Sequence, residues 1–299
     1  MLEFLKMKDA DKKDIYRVVS EDLGMNEAIL EKDYWVVLML DILFTKSKFK
    51  HSFAFKGGTS LSKAYHQIQR FSEDIDLILD WQILGYGMDE PWIARSKNQQ
   101  RKFNDEANER AARWIETELV PELNANLIDL GIENITLAIS PTDIADKEIS
   151  AYIVDAFPQL FDIKSVTVPT VEAKRTFWEK ATILHKEAYR MNTQTPTRYS
   201  RHYYDIYQLA QSITKEDALN DLSLLSHVIS FKQKFYADNS AHYGAAVPGT
   251  LKLLPNNIQM TGLINDYDSM KSMLFGEVPT FDVILNDLEQ LESEINSIE

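Results

Sequence analysis

The chain of 299 residues contains no cysteine. That excludes a disulfide framework, a thiolate zinc site and a cysteine nucleophile, and it is compatible with a reducing compartment. Long hydrophobic runs are missing as well. The longest, Trp35 to Phe44, is interrupted by Asp41 and is shorter than the ~20 apolar residues a membrane span needs. The opening MLEFLKMKDADKKD lacks the apolar core of a signal peptide. These features lead us to expect a cytoplasmic protein without membrane contact. Positive charge is the scarcer sign: 32 Lys and Arg stand against 46 Asp and Glu, a formal net charge of −14. A uniformly basic nucleic-acid coat is therefore excluded, while a local basic groove survives in the sum. None of the six histidines forms an H-x-x-x-H pair, so a zinc site is not expected. Internal repeats and low-complexity tracts are absent.

What is present is an ordinary globular composition, 44% hydrophobic and 26% charged, long enough for one large domain or two modest ones. Asp9 to Glu21 and Asn26 to Leu43 carry apolar residues at three- and four-residue spacing and read as helices broken at Gly24. Ser52 to Phe55 reads as a strand ending at Gly57–Gly58, Ser60 to Ile68 as a short helix, and Asp74 to Leu79 as a second strand. Arg95 to Leu130 is helical in pattern and ends at Gly131. Asn134 to Ile139, Ile149 to Val154 and Ile163 to Val168 read as further strands separated by Pro141 and Pro158. From Thr176 onward the pattern is helical. The expected class is α+β: a mixed β-sheet with helices over residues 1–175, then an all-helical region over 176–299.

Charge is unevenly placed. Lys174 to His202 holds Lys174, Arg175, Lys180, Lys186, Arg190, Arg198 and Arg201 against Glu179 and Glu187, and the tail from Asp266 is acidic. A solvated helix face and a pocket for polyphosphate or RNA backbone fit this segment equally well.

The informative stretch is FAFKGGTSLSKAYHQIQRFSEDIDLIL, Phe53 to Leu79. Gly57 and Gly58 lack Cβ atoms, so the backbone there turns sharply and approaches a ligand closely. Thr59 and Ser60 follow where a helix begins, a place that suits phosphate, though on the glycines alone an ordinary strand-to-helix turn with an N-cap is the better reading. The pattern is not a Walker A loop, which needs glycine directly before the lysine; Ser62 precedes Lys63. Asp74 and Asp76 share one strand face by the period-two rule, with Ile75 and Leu77 on the buried side. Paired hard carboxylates suit Mg²⁺ together with substrate phosphates; an edge strand with incidental acids reads the same way. Asp80 shares that face nearer the strand end. Further on, Lys180 lies on a helix, where it reads as a phosphate-binding point charge or as an exposed lysine. Arg201 and Asp205 lie four apart on the next helix, the spacing of a simple intrahelical pair. His185 and His202 read as packed or surface histidines.

Taken together, a small-residue turn, a short helix and an Asp-x-Asp strand resemble the nucleotidyltransferase fold. The chain as a whole resembles the AbiEii/AbiGii toxin family, the nucleotidyltransferase-like toxins of type IV abortive-infection systems, from EKDYWV (Glu31 to Val36) to about Leu209. The motif GG-T/S-x-L-x-K reads Gly57, Gly58, Thr59, Ser60, Leu61, Ser62, Lys63. R-x-S-x-D-I-D reads Arg70, Phe71, Ser72, Glu73, Asp74, Ile75, Asp76. The helix-lysine motif maps to Lys180, and R-D-x-x-D to Arg201 and Asp205, with His202 in place of its first aspartate. Relatives often carry an acid on the strand where this chain has Ala138, so a third metal carboxylate is unassigned, with Asp162 and Asp205 as candidates.

The resemblance implies transfer of a nucleotide from an NTP with release of pyrophosphate, a tRNA 3′ end as acceptor held by Lys174 to Arg201, and a separately encoded antitoxin as partner. It further implies Mg²⁺ on Asp74 and Asp76, and phosphates cradled by Gly57, Gly58, Thr59, Ser60 and Ser72 and neutralised by Lys63, Arg70 and Lys180. Asp205 is then either the base toward the acceptor or the residue that orients Lys180. The alternatives are a kinase-like phosphotransferase acting on a protein and a non-catalytic nucleotide- or partner-binding module. The helical C-terminal part is expected to close over the cleft.

Overall fold

A computed structural model describes residues 2–72, 74–128, 145–149, 166–191 and 194–298. Two compact units divide the chain: one of residues 1–66 and 71–171, the other of 67–70 and 172–299.

The first unit opens with α1 (Leu2–Leu5), α2 (Asp9–Leu23) and α3 (Glu27–Asp41). Asp9 and Asp11 sit in the first turn of α2, where the helix dipole favours acids, and Gly24 ends the helix in the left-handed region at φ +65°. Asn26 caps α3 by accepting from the Ala28 N–H at 2.8 Å. α3 is buried along most of its length, and its end widens into a π turn over Ile42–Lys46. β1 (Phe53–Lys56) runs directly into α4 (Gly57–Lys63), and β2 (Asp76–Leu79) returns beside β1. The α4 helix begins three residues earlier than its sequence pattern suggests, and His66 at φ +51° carries the chain out of it. α5 (Lys97–Trp114) starts at a capping box of Ser96 and Gln99 and continues through a second π turn into α6 (Val120–Ile128).

Among the described residues, β3 (Ala145–Ile149) and β4 (Val166–Thr170) join β1 and β2 in a four-stranded sheet of order β2-β1-β4-β3. β1 pairs antiparallel with β2 and parallel with β4, and β3 pairs antiparallel with β4. The sheet is mixed, as expected. Ala54 on β1, Ile78 on β2 and Val171 just past β4 pack as one buried cluster. The expected strand Asn134–Ile139, most of Ile149–Val154, and Asp162 lie outside the described residues.

The second unit is helical. α7 (Ala173–Ala188) packs against α8 (Arg201–Ala210), α9 (Ile213–Leu219) and α10 (Leu222–Phe235). α11 (Met260–Met270) and α12 (Phe281–Asn296) follow, with α12 against α8. Phe177, Trp178, Ala181 and Leu184 of α7 are fully buried, and the Trp178 indole donates to the Ala218 carbonyl at 3.2 Å. Residues 67–70 belong to this unit: Arg70 bridges Leu274 in antiparallel fashion, and the Phe275 N–H donates to the Gln69 carbonyl at 3.0 Å.

Candidate active site

In the first unit the glycine turn is built against a carboxylate. Gly57 takes φ +85°, and a Cβ at that position would lie 1.9 Å from Asp76 Oδ2. Only glycine fits, on backbone and on steric grounds alike. The two hydroxyls after it are committed to the loop itself. Thr59 Oγ1 donates to the Asp74 carbonyl at 2.6 Å, with the Ser72 carbonyl at 3.2 Å. Ser60 Oγ donates to the Gly57 carbonyl at 2.8 Å. Gly58, Thr59 and Ser60 are buried and Ser72 is half-buried. Of the two residues expected to cradle phosphate, Thr59 thus ties the turn to the backbone that carries Asp74, and Ser60 closes the turn on itself. The Thr59 bond also accounts for the late start of β2 at Asp76.

Asp74 and Asp76 are exposed residues, with Asp76 Oδ2 packed against Gly57. Lys56, which the sequence reading passed over, stands directly across the antiparallel ladder from Asp76. Its position immediately before the glycines is the signal that would have found it. The alternation expected of β2 holds for Leu77, while Ile75 is half-buried and Ile78, on the side of Asp76, is buried. Asp80 accepts from the Gln82 N–H at 2.9 Å as the cap of a short 3₁₀ turn.

Lys63 is not at a surface. It is 3% exposed and its Nζ lies 2.6 Å from Asp33 Oδ1 in a buried pair. Asp33 sits in the apolar run of α3, and a carboxylate there needs a partner, since an unpaired buried charge is costly. An acid within an apolar helix run is therefore a signal, legible in the sequence, of a buried cationic partner.

In the second unit three motif residues meet. Arg70 Nε and Nη2 donate to Asp205 Oδ1 and Oδ2 at 2.6 and 2.8 Å, and Lys180 Nζ lies 2.7 Å from Asp205 Oδ2. All three residues are buried. Burial alone would raise the Asp205 carboxyl, but Arg70 and Lys180 hold it well below the usual carboxylate range. Burial lowers the Lys180 ammonium, and Asp205 opposes that shift. Both Asp205 oxygens are bonded to cations of other elements, which makes it a poor proton acceptor.

The expected exposed basic stretch is largely compensated within this unit. Lys174 pairs with Asp221 at 2.9 Å, Arg175 with Glu179 at 3.3 Å, Lys186 with Asp238 at 2.8 Å, and Arg190 with Glu187. The sequence could not show Asp221 and Asp238, which arrive from later in the chain. Among the described residues no group of three His, Asp or Glu side chains is placed to hold a metal. No helix among them is long and apolar enough to cross a membrane.

A family model described as nucleotidyl transferase AbiEii toxin, type IV toxin–antitoxin system, matches residues 40–287. The chain belongs to the AbiEii nucleotidyltransferase toxin family. The match spans the four motifs and continues through the helices beyond Leu209, where the sequence showed no motif. It begins after Asp33, so the partner of Lys63 lies outside it. Membership in the AbiEii family carries with it a nucleotide substrate and an antitoxin partner. A search among curated proteins found no match.

Proposed function

We propose that this AbiEii-family chain is a Mg²⁺-dependent nucleotidyltransferase that moves NMP from an NTP to an acceptor hydroxyl with loss of pyrophosphate. The acceptor we propose is the tRNA 3′ end. The observation that supports this best is the contact of Gly57 with Asp76, which makes the glycine turn and the carboxylate strand one piece. Asp74 and Asp76 bring hard carboxylate oxygens to one short exposed segment, the donor chemistry Mg²⁺ takes when substrate phosphates complete its shell. Bound there, the ion would supply charge neutralisation for the triphosphate.

The chain's own residues do the rest. Gly57 and Gly58 give the close backbone approach. Thr59 holds the turn to Asp74, Ser60 closes the turn on the Gly57 carbonyl, and Lys63 with Asp33 fixes the helix behind it. Lys180 is the phosphate-binding cation. Arg70 and Asp205 are positioning residues: Arg70 grips the carboxylate with two parallel bonds, and the carboxylate aims Lys180. Arg70 and Lys180 both bond to the Asp205 carboxylate, so loss of that carboxylate leaves two buried cations without it.

The test is label transfer from each α-³²P NTP to total bacterial tRNA with Mg²⁺, with Asp74→Ala as the control. Label on RNA with the intact chain and none with the folded variant is the expected result. Release of a nucleoside diphosphate, with a γ-phosphate moved to protein, would replace this reading by the phosphotransferase one. No Mg²⁺-dependent turnover with any acceptor would leave the binding module. Lys180→Ala is expected to weaken NTP binding more than RNA binding, and titration showing the reverse order would remove its phosphate role. Compensation of Lys174, Arg175, Lys186 and Arg190 makes Lys174 to Arg201 a poor RNA clamp, so Lys186→Ala should leave the tRNA dependence of labelling within about twofold.

A further inference from the structure

α8 begins without a cap of its own. Ser200, its N-cap residue, makes no side-chain bond into the helix, and its hydroxyl turns to another element. A carboxylate of α11 meets it there. Asp266 Oδ1 accepts from the Arg198 N–H at 2.5 Å, and Oδ2 accepts from the Ser200 N–H at 2.8 Å and from the Ser200 hydroxyl at 2.6 Å. Both oxygens of Asp266 are therefore engaged on the turn that leads into α8. Ser200 is fully buried, so its two donors need such a partner. A negative charge also suits a helix N-terminus. The turn is held in an unfavourable shape: Arg198 is a non-glycine residue at φ +60°, a conformation that persists where the surroundings enforce it. A second tie lies beside the first. Tyr267, next to Asp266, packs on Phe281 of α12 with ring centroids 5.3 Å apart, and Phe281 packs on Tyr203 of α8 at 5.9 Å. The Tyr267 hydroxyl donates to the Pro279 carbonyl at 2.8 Å. α11 is thus anchored where it grips the start of α8.

The start of α8 matters because of what the helix carries. Asp205 lies just over one turn in and meets Arg70 and Lys180, from two other segments, at 2.6, 2.8 and 2.7 Å. Bonds this short follow the helix that carries them, and a misplacement of about 1 Å in a site can cost on the order of 100-fold. We propose that Asp266 is a positioning residue of the site: it fixes the first turn of α8, and through it the place of Asp205 and the aim of Lys180. Asp266 is not itself a ligand of the nucleotide in this scheme. The inference rests on the nucleotide reading above and adds to it a residue that lies outside the four motifs.

The experiment uses the full chain and measures equilibrium binding of each NTP with Mg²⁺, together with KM for NTP and kcat in label transfer to tRNA. Every variant is assayed at a temperature where thermal unfolding shows it folded. Asp266→Ala should weaken NTP binding about tenfold and raise KM by a similar factor while kcat changes less, since the loss reaches the substrate through Lys180. Asp266→Asn keeps an acceptor for Ser200, and Ser200→Ala removes one bond of three, so each should lose only about threefold. Combining Ser200→Ala with Asp266→Ala should be no worse than Asp266→Ala alone, because both act through one contact. Asp238→Ala is the control for general softening. Asp238 accepts from Lys186 and from the N–H and hydroxyl of Ser240, none of them on α8, and its loss should leave NTP binding unchanged. A folded Asp266→Ala with wild-type binding and KM overturns the proposal, as does an equal loss in Asp238→Ala. If Asp266→Ala does not fold, Asp266→Asn and Ser200→Ala decide on the same terms, and wild-type values in both overturn it. If Lys180→Ala weakens NTP binding while the Asp266 variants do not, the nucleotide reading stands and the positioning role falls. If wild type binds no NTP, both fall.

Discussion

At Asp205 a single carboxylate satisfies two buried cations, so its loss is felt through the groups left behind. Asp205→Asn should destabilise the second unit by about 3–5 kcal/mol, the usual cost of breaking a buried ion pair from one side. The midpoint of urea unfolding measures this, and a shift under 1 kcal/mol would mean that Arg70 and Lys180 find other partners. Gly57 offers a cleaner comparison. Gly24 and Gly57 both have positive φ, but an added Cβ meets nothing within 4 Å at Gly24 and the Asp76 carboxylate at Gly57. Gly24→Ala should therefore cost only backbone strain, about 1–2 kcal/mol. Gly57→Ala should cost more than that, and abolish transfer. Equal unfolding midpoints for the two would show that Asp76 swings aside without penalty. At this scale the order of four motifs along the chain singled out these residues, since a glycine turn alone suits an ordinary N-cap and an Asp-x-Asp alone suits an edge strand. It did not reveal their partners. Nothing within a few residues of Lys63 or Lys180 announces that Asp33 or Asp205 will meet the charge, so both read as cations available to phosphate.

Among the elements, α7 departs most from its pattern. Arg175, Thr176, Lys180, Thr182, His185 and Glu187 are buried along with its apolar residues. A helix surrounded by neighbours buries polar positions once each has a partner, and periodicity cannot see those partners. The β2 strand shows the same limit: Ile78 is covered on the side that carries exposed Asp76, so alternation describes only its first half. His185 gives α7 a pH dependence. Its Nδ1 accepts from the Lys252 N–H at 3.0 Å, its Nε2 lies 3.2 Å from the His242 carbonyl, and burial lowers its affinity for a proton. The unfolded chain therefore binds the proton more readily. The contribution of His185 is complete above the ordinary imidazole value of about 6.5 and is lost as pH falls below it. Unfolding midpoints between pH 7.5 and 5.5 should decline, and His185→Gln should flatten the decline. An unchanged slope in that variant would assign the effect elsewhere, with His202 the next group to examine.

Over the whole molecule, the mixed α/β region followed by helices was legible from the change in period near residue 175. The return of four residues to the helical unit was not, because residues 67–70 carry no signature beyond Arg70 itself. Nor was the local balancing of charge, which turns a basic segment of a −14 chain into paired surface and buried networks. A chain ending at residue 171 should accordingly be less stable than its own core suggests. Its Arg70 loses Asp205 and its Gln69 carbonyl loses the Phe275 N–H. Circular dichroism and hydrogen exchange of that fragment are the check, and native-like protection around Phe53–Leu79 would refute the expectation. The crossing has a consequence for heredity. A gene segment can be exchanged as a cassette when one junction on each side severs nothing structural. Here one motif, Arg70 through Asp76, is divided between two units within seven codons. Recombination at any single point between the units transfers one of them without a piece of its own fold. Exchange of the first unit between such chains would have to carry residues 67–70 of the second with it, and new specificities would be expected to arise by substitution within the intact chain.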